Sequence, residues 1–258
     1  MRAGMAREAS APGTGFRFTN GKDATNVCLP QYRKAFVRLM TGAEELGYLD
    51  CGWGDEEAAV LCDALMWAHA NDATTSANYL SLGGNKLTDA ALQRLVEVLS
   101  AGAMPELRSL LLTENALSDA GAQSLADALS AGKLPRLEKL DLRGNRIGNV
   151  ALATDGHLAN LQELNLSDNQ ISNAGAQSLA GALSAGKLPR LEELDLCGNR
   201  IGDAGAEALA RAVSGGGAAA LETLVVGYNG FGESATAALR AACEARGVEA
   251  MADDDDAL

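Results

Sequence analysis

Aliphatic and polar residues alternate along this chain in short bursts, and each burst runs into an asparagine. In one clear copy Leu107, Leu110 and Leu112 are followed by Asn115 and Leu117. Ser109, Leu111 and Thr113 fill the alternate positions. A period of two places one set of side chains in a core and the other on an open face, which predicts a short strand. The same frame returns as Leu137, Leu140, Leu142, Asn145, Ile147, then around Asn169 and Asn199. The asparagines Asn85, Asn115, Asn145, Asn169, Asn199 and Asn229 are spaced by 30, 30, 24, 30 and 30 residues. A fixed period in this range predicts a solenoid, whose extended surface suits binding rather than catalysis in a pocket.

The asparagine has a physical task in such a stack. Backbone groups at a buried strand end need partners. A side-chain amide offers both donors and an acceptor, so stacked copies can form a ladder. The second half of each unit reads as helix. Three residues after the asparagines stand Thr88, Ser118, Gly148, Ser172, Gly202 and Gly232, all suited to an N-cap. Asp89, Asp119, Asp203 and Glu233 come next, where a helix dipole favours acids. Leu125 with Leu129, Leu179 with Leu183, and Leu209 with Val213 mark one apolar helix face. Gly132 and Gly186 are the expected helix stops.

This frame resembles a leucine-rich repeat, and the long helical half resembles the ribonuclease-inhibitor-like subclass. The resemblance implies an α/β fold: a right-handed solenoid, or horseshoe, of strand–helix repeats with a parallel sheet on the concave side. Right-handed crossovers between parallel strands are the general rule. About six or seven strands are expected.

Six repeats are expected over residues 77–250. Residues 27–76 read as an N-terminal cap. In it Tyr32, Phe36 and Met40 form a helical stripe, and Leu46, Tyr48, Cys51 and Trp53 occupy the repeat slots in degenerate form. Residues 1–26 are poor in large apolar groups and read as a disordered segment. Residues 251–258 read as an acidic tail. The unit after Asn145 is six residues short on its helical side and is read as a tolerated deletion in a surface connection.

The net charge of −13 argues against nucleic acid and against anionic membranes as partners. No apolar run is long enough for a signal sequence or a membrane span, so a cytoplasmic monomer is expected. Arg2, Arg7 and Arg17, with Glu8 the one acid before residue 20, leave organelle targeting as an alternative. The five cysteines include no metal-binding spacing and read as reduced thiols, with Cys51, Cys62 and Cys243 on core slots. His69 and His157 have no triad partners at recognisable spacing. No catalytic residue, cofactor site or metal site is expected, and the phosphate-binding glycine motifs are missing.

What remains is the open face of the strands. Lys139, Asp141, Glu163, Glu193 and Asp195 fall on three adjacent strands, and Arg143 and Arg200 stand at the turn border. Tyr79 and Tyr228 lie toward opposite ends. Tyrosine and arginine are enriched at binding hot spots. These nine residues are the expected partner-binding set, and the expected function is a non-catalytic scaffold holding a protein partner on the concave face. The plain alternative is a sheet face that is polar for solubility. Within the same resemblance, an activator of a Ran-type small GTPase is the second reading. The repeats are few for it, the acidic tail is short, and none of its functional residues can be matched here.

Overall fold

The computed structural model describes residues 41–149 and 160–251. Eight three-residue strands form one parallel sheet in chain order. They are β1 (Glu45–Gly47), β2 (Tyr79–Ser81), β3 (Ser109–Leu111), β4 (Lys139–Asp141), β5 (Glu163–Asn165), β6 (Glu193–Asp195), β7 (Thr223–Val225) and β8 (Glu249–Met251). Among the described residues six helices join successive strands, with none described between β4 and β5: α1 (Asp55–Ala70), α2 (Asp89–Ser100), α3 (Asp119–Ser130), α4 (Asn173–Ser184), α5 (Asp203–Ser214) and α6 (Glu233–Glu244). One open parallel sheet alternating with helices is an α/β horseshoe solenoid.

The register is set by the central residue of each strand. Leu46, Leu80, Leu110, Leu140, Leu164, Leu194, Leu224 and Ala250 lie in a single row across the sheet. All but the half-buried Ala250 are core residues. Burying a leucine contributes about 1.5–3 kcal/mol, and here the contribution recurs with every unit. The short interval between Asn145 and Asn169 leaves this row undisturbed, since Lys139 still pairs with Glu163.

All six asparagines form the expected ladder, and it has a direction. Asn145 Nδ2 donates to the Leu142 and Arg143 carbonyls of its own unit and to Leu112 O of the unit before, at 2.9–3.2 Å. Its Oδ1 accepts from Leu117 N, also in the unit before, at 3.1 Å. Asn85, Asn115, Asn169, Asn199 and Asn229 repeat the pattern. Each asparagine therefore completes the preceding unit.

That direction explains a correction. Cys51 stands in the asparagine slot of the first unit but is exposed, not a core residue; Cys62 and Cys243 are buried. A side chain in this slot is buried against the unit before it, and Cys51 has no described unit on that side. Tyr48 and Trp53 flank it instead in a stacked pair with centroids 4.5 Å apart. The Trp53 N–H is served from ahead, by Asn85 Oδ1 at 2.9 Å.

The helices begin where the caps predict. Thr88, Ser118 and Ser172 accept from the backbone N–H two residues on, at 3.2–3.3 Å. The acid at the first helical position has a second role that dipole arguments do not give. Asp89 accepts from both Ser118 N and Ser118 Oγ in the following unit. Asp55 does the same for Thr88, Asn173 accepts from Gly202 N, and Asp203 accepts from Gly232 N. A second ladder thus runs forward where the asparagine ladder runs back, and it serves units whose cap is glycine and has no side chain to offer.

Eight strands stand where about six or seven were expected, and the excess lies at the C-terminal end. Glu249 N donates to Glu222 O at 2.7 Å, and Val226 N donates to Met251 O at 2.9 Å. Met251 therefore belongs to the sheet rather than opening the acidic tail. Residues 252–258 lie outside the described residues, as do the expected N-terminal segment 1–26, the helical stripe at 31–40 and residues 150–159 of the short unit.

Candidate functional site

Three rows of positions lie on the open face of the sheet. The first residues of β2 to β7 are Tyr79, Ser109, Lys139, Glu163, Glu193 and Thr223. The third residues are Ser81, Leu111, Asp141, Asn165, Asp195 and Val225. Two residues further on, Gly83, Thr113, Arg143, Ser167, Cys197 and Gly227 close each unit's face. Lys139, Asp141, Glu163 and Glu193 come together with Asn165 around a shallow hollow. Asp195 joins them at the side, paired in register with Asn165. Tyr79 lies two strands away on β2, and Arg200 and Tyr228 lie on the turns beyond the sheet, so these three are outside the cluster.

Bonding within the cluster changes its charge from what the sequence suggests. Lys139 Nζ donates to Glu163, and this bond holds the ammonium pKa above its ordinary value. Two of the expected site residues therefore largely cancel. Arg143 Nε donates to Asp168 Oδ2 at 3.0 Å, across to the next unit's turn. Glu193 is exposed and has no ion pair among the described residues. The net charge of the face is concentrated on Asp141, Glu193 and Asp195.

The third-row acids also hold their own backbone. Asp141 Oδ1 accepts from Arg143 N at 3.0 Å, and Asp195 Oδ1 accepts from Cys197 N at 2.9 Å. Asn165 makes the equivalent bond to Ser167 N at 2.9 Å. Such a side chain ties the end of its strand into the turn. Immediately before each asparagine slot the turn is left-handed throughout, formed by Gly84, Gly144 and Gly198 or by Asp50, Glu114, Asp168 and Tyr228.

Burial raises the Asp141 pKa, against the lowering effects of the Arg143 N–H, Lys139 and Arg143. A carboxylate whose folded pKa is raised is less well accommodated when ionised, so it opposes folding at neutral pH. That opposition fades as the pH falls through the raised folded value and is gone once it is below the range where an unfolded aspartate titrates. Asp141→Asn keeps the turn bond, as Asn165 shows, and removes the charge. The variant is expected to melt slightly higher than wild type at pH 7 and to lose that advantage at pH 3. A lower melting temperature at pH 7 would contradict this account.

Cys62 is buried, and its thiol pKa is pushed up to about 11, first by burial. Such a thiol stays protonated and inert. Among the described residues no group of three or more His, Cys, Asp or Glu is placed to hold a metal ion. No described helix is long and apolar enough to cross a membrane.

A comparison internal to the chain singles out the same face. Residues 119–149 and 173–203 are nearly identical and differ at five of 31 positions. Two differences, Lys139/Glu193 and Arg143/Cys197, fall on the open face, which contributes only three of those positions. Asp119/Asn173 and Asn149/Asp203 fall in the forward ladder, where either residue accepts a hydrogen bond. Asp127/Gly181 falls on exposed helix surface. Both changes on the face alter charge, whereas its strand and ladder framework is kept.

Two family models described as leucine-rich repeat match residues 104–126 and 135–201. Among solved structures the chain is similar to an internalin from Listeria monocytogenes, at 21% identity and a TM-score of 0.49. The match covers 83% of this chain and 48% of that one, so the chain spans about half the length of the internalin chain. No curated protein matches it.

Proposed function

From the premise that this is a leucine-rich repeat protein, we propose that it acts as a non-catalytic scaffold and holds a protein partner on the open face of β3 to β7. The 12-residue helices α2 to α6 favour the ribonuclease-inhibitor-like subclass. The observation that carries the reading is the divergence of the two near-identical segments at Lys139/Glu193 and Arg143/Cys197. A face kept polar only for solubility has no need to exchange cations for an acid and a thiol while its framework stays fixed. Glu193, Asp195 and Asp141 form the centre, the Lys139–Glu163 pair lies beside it, and Arg143 stands at its edge. Tyr79, Arg200 and Tyr228 extend the surface as outlying contacts. GTPase activation draws no support from this site.

Affinity capture with mass spectrometry identifies the partner, and charge reversal tests the face. Glu193→Lys with Asp195→Lys is expected to weaken binding by on the order of tenfold or more, largely through the association rate and its salt dependence. Glu207 lies on α5 in an exposed pair with Arg211 at 3.6 Å, so Glu207→Lys is the control and should bind as wild type. Circular dichroism confirms that both variants are folded. Full binding by the double variant together with loss of binding by Glu207→Lys would move the interaction to the helices.

A further inference from the structure

The last of the six ladder asparagines differs from the others in the residue that follows it. Lys86, Ala116, Arg146, Gln170 and Arg200 follow the first five, and Gly230 follows Asn229. The fold gives no reason for that glycine. Gly230 is not among the left-handed glycines, and a Cβ built on it would meet only Ile201 O, at 3.5 Å, an ordinary contact. Its N–H donates to Ile201 O at 2.8 Å, just as Ala116 N donates to Leu87 O at 2.9 Å. What the glycine changes is chemistry. With no side chain on the following residue, the backbone nitrogen reaches the asparagine Cγ with little hindrance. Asn115 is half-buried like Asn229, but there the Ala116 Cβ crowds the approach.

We propose that Asn229 is a site of spontaneous modification, an amide-to-carboxylate conversion that loosens the C-terminal unit. The Gly230 nitrogen attacks Asn229 Cγ and forms a C–N bond, and Nδ2 leaves as ammonia with the proton from Gly230. Water then opens the cyclic imide at either carbonyl, which gives aspartate or isoaspartate. In the folded chain the reacting groups are engaged elsewhere. Asn229 Nδ2 donates to Leu196 O, Val226 O and Gly227 O at 2.9–3.1 Å, its Oδ1 accepts from Ile201 N at 2.9 Å, and the Gly230 N–H is held by Ile201 O. The conversion therefore proceeds from openings of the last unit, and chain ends open at the least cost. In the aspartate product one carboxylate oxygen still accepts from Ile201 N. The other stands where Nδ2 stood and faces three carbonyl oxygens with no proton to give. Isoaspartate also lengthens the main chain through the turn. Asn229 is the last asparagine of the chain, so no later rung shares the load. The inference is independent of what the open face binds.

The test ages the full chain in mildly alkaline buffer, with and without denaturing urea, and maps the products by peptide mass spectrometry. The map separates Asn229 from Asn20–Gly21, the other Asn–Gly pair in the sequence. Without urea, Asn229 is expected to convert faster than Asn115 and the other four ladder asparagines. Gly230→Ala should slow it by on the order of tenfold, about 1.4 kcal/mol on the barrier. That variant should keep the wild-type urea midpoint, as Ala116 occupies the same position in its own unit. Urea should speed the wild-type conversion. Hydrogen exchange of Asn229→Asp completes the test: amides of α6 and β8 should exchange on the order of tenfold faster or more, because buried acceptors lose their donor, while those of β2 to β4 stay as in wild type. No conversion at Asn229, an equal rate at Asn115, or a rate indifferent to Gly230→Ala would overturn the site. A rate indifferent to urea would overturn the route through opening, and unchanged exchange in α6 and β8 would overturn the loosening.

Discussion

Asn169→Leu is expected to lower the unfolding free energy by about 3–5 kcal/mol, a loss that a turn asparagine with no buried partners would not produce. Asn169 Nδ2 donates to Leu142 O, Leu166 O and Ser167 O, and its Oδ1 accepts from Ile147 N. The residue is buried, so water cannot replace the lost partners. A buried group stripped of its partner costs about 1–3 kcal/mol, and several are stripped together. Leucine is close in volume, so the loss reports hydrogen bonding more than a cavity. Asn229→Leu should cost less, because Asn229 is only part-buried. Urea titration measures both. Midpoints equal to wild type would defeat the ladder as a source of stability.

Leu194→Ala should cost about 2–5 kcal/mol and should also separate the two halves of the molecule. Leu194 is fully buried at the centre of β6, between Leu164 and Leu224 in register. These neighbours are fixed by their own strands and cannot close the cavity, which places the loss at the upper end. Repeat stability is a sum of unit and interface terms, so a defect at one interface can uncouple the units on either side. Both tryptophans, Trp53 and Trp67, lie in the first unit. Their fluorescence reports the N-terminal end, whereas far-ultraviolet circular dichroism reports the whole chain. In wild type the two signals should unfold together. In Leu194→Ala the dichroism midpoint should fall below the fluorescence midpoint, and coincident curves at an unchanged midpoint would rule the argument out.

The periodic parts of the fold are legible in the sequence because their causes are local. Leu110 and Leu112 alternate within one strand, and Ser118 caps a helix that begins at the next residue. The asparagine ladder is legible because one side chain with fixed valence stands in one slot six times. The forward ladder is not, because Asp89 as a dipole acid looks the same whether or not Ser118 lies above it. Its signal was available: an Asp or Asn opens nearly every helix, with a hydroxyl or glycine cap about one repeat later. Strand β8 escapes the pattern because Ala250 stands in a leucine slot and no asparagine follows at the usual distance. On the open face the sequence locates the cluster but misjudges its charge. The Lys139–Glu163 pair becomes visible only once the short interval is known to preserve register. The turn bonds of Asp141 and Asp195 give these acids a structural duty that a search for binding residues passes over.

The backward direction of the asparagine ladder has a consequence for the nascent chain. A ribosome delivers each unit before the asparagine that finishes it. Leu112 O and Leu117 N wait for Asn145, and Leu142 O and Ile147 N wait for Asn169. At about 5–20 residues per second, a spacing near 30 residues means a delay of roughly 1.5–6 s. During that interval the newest unit has its leucines but not all its backbone partners. The growing end is thus the least satisfied part of the molecule at every stage of synthesis, and each addition secures the unit made before it. The finished chain inherits the same polarity: stripping units from the C-terminal end leaves each new last unit unfinished.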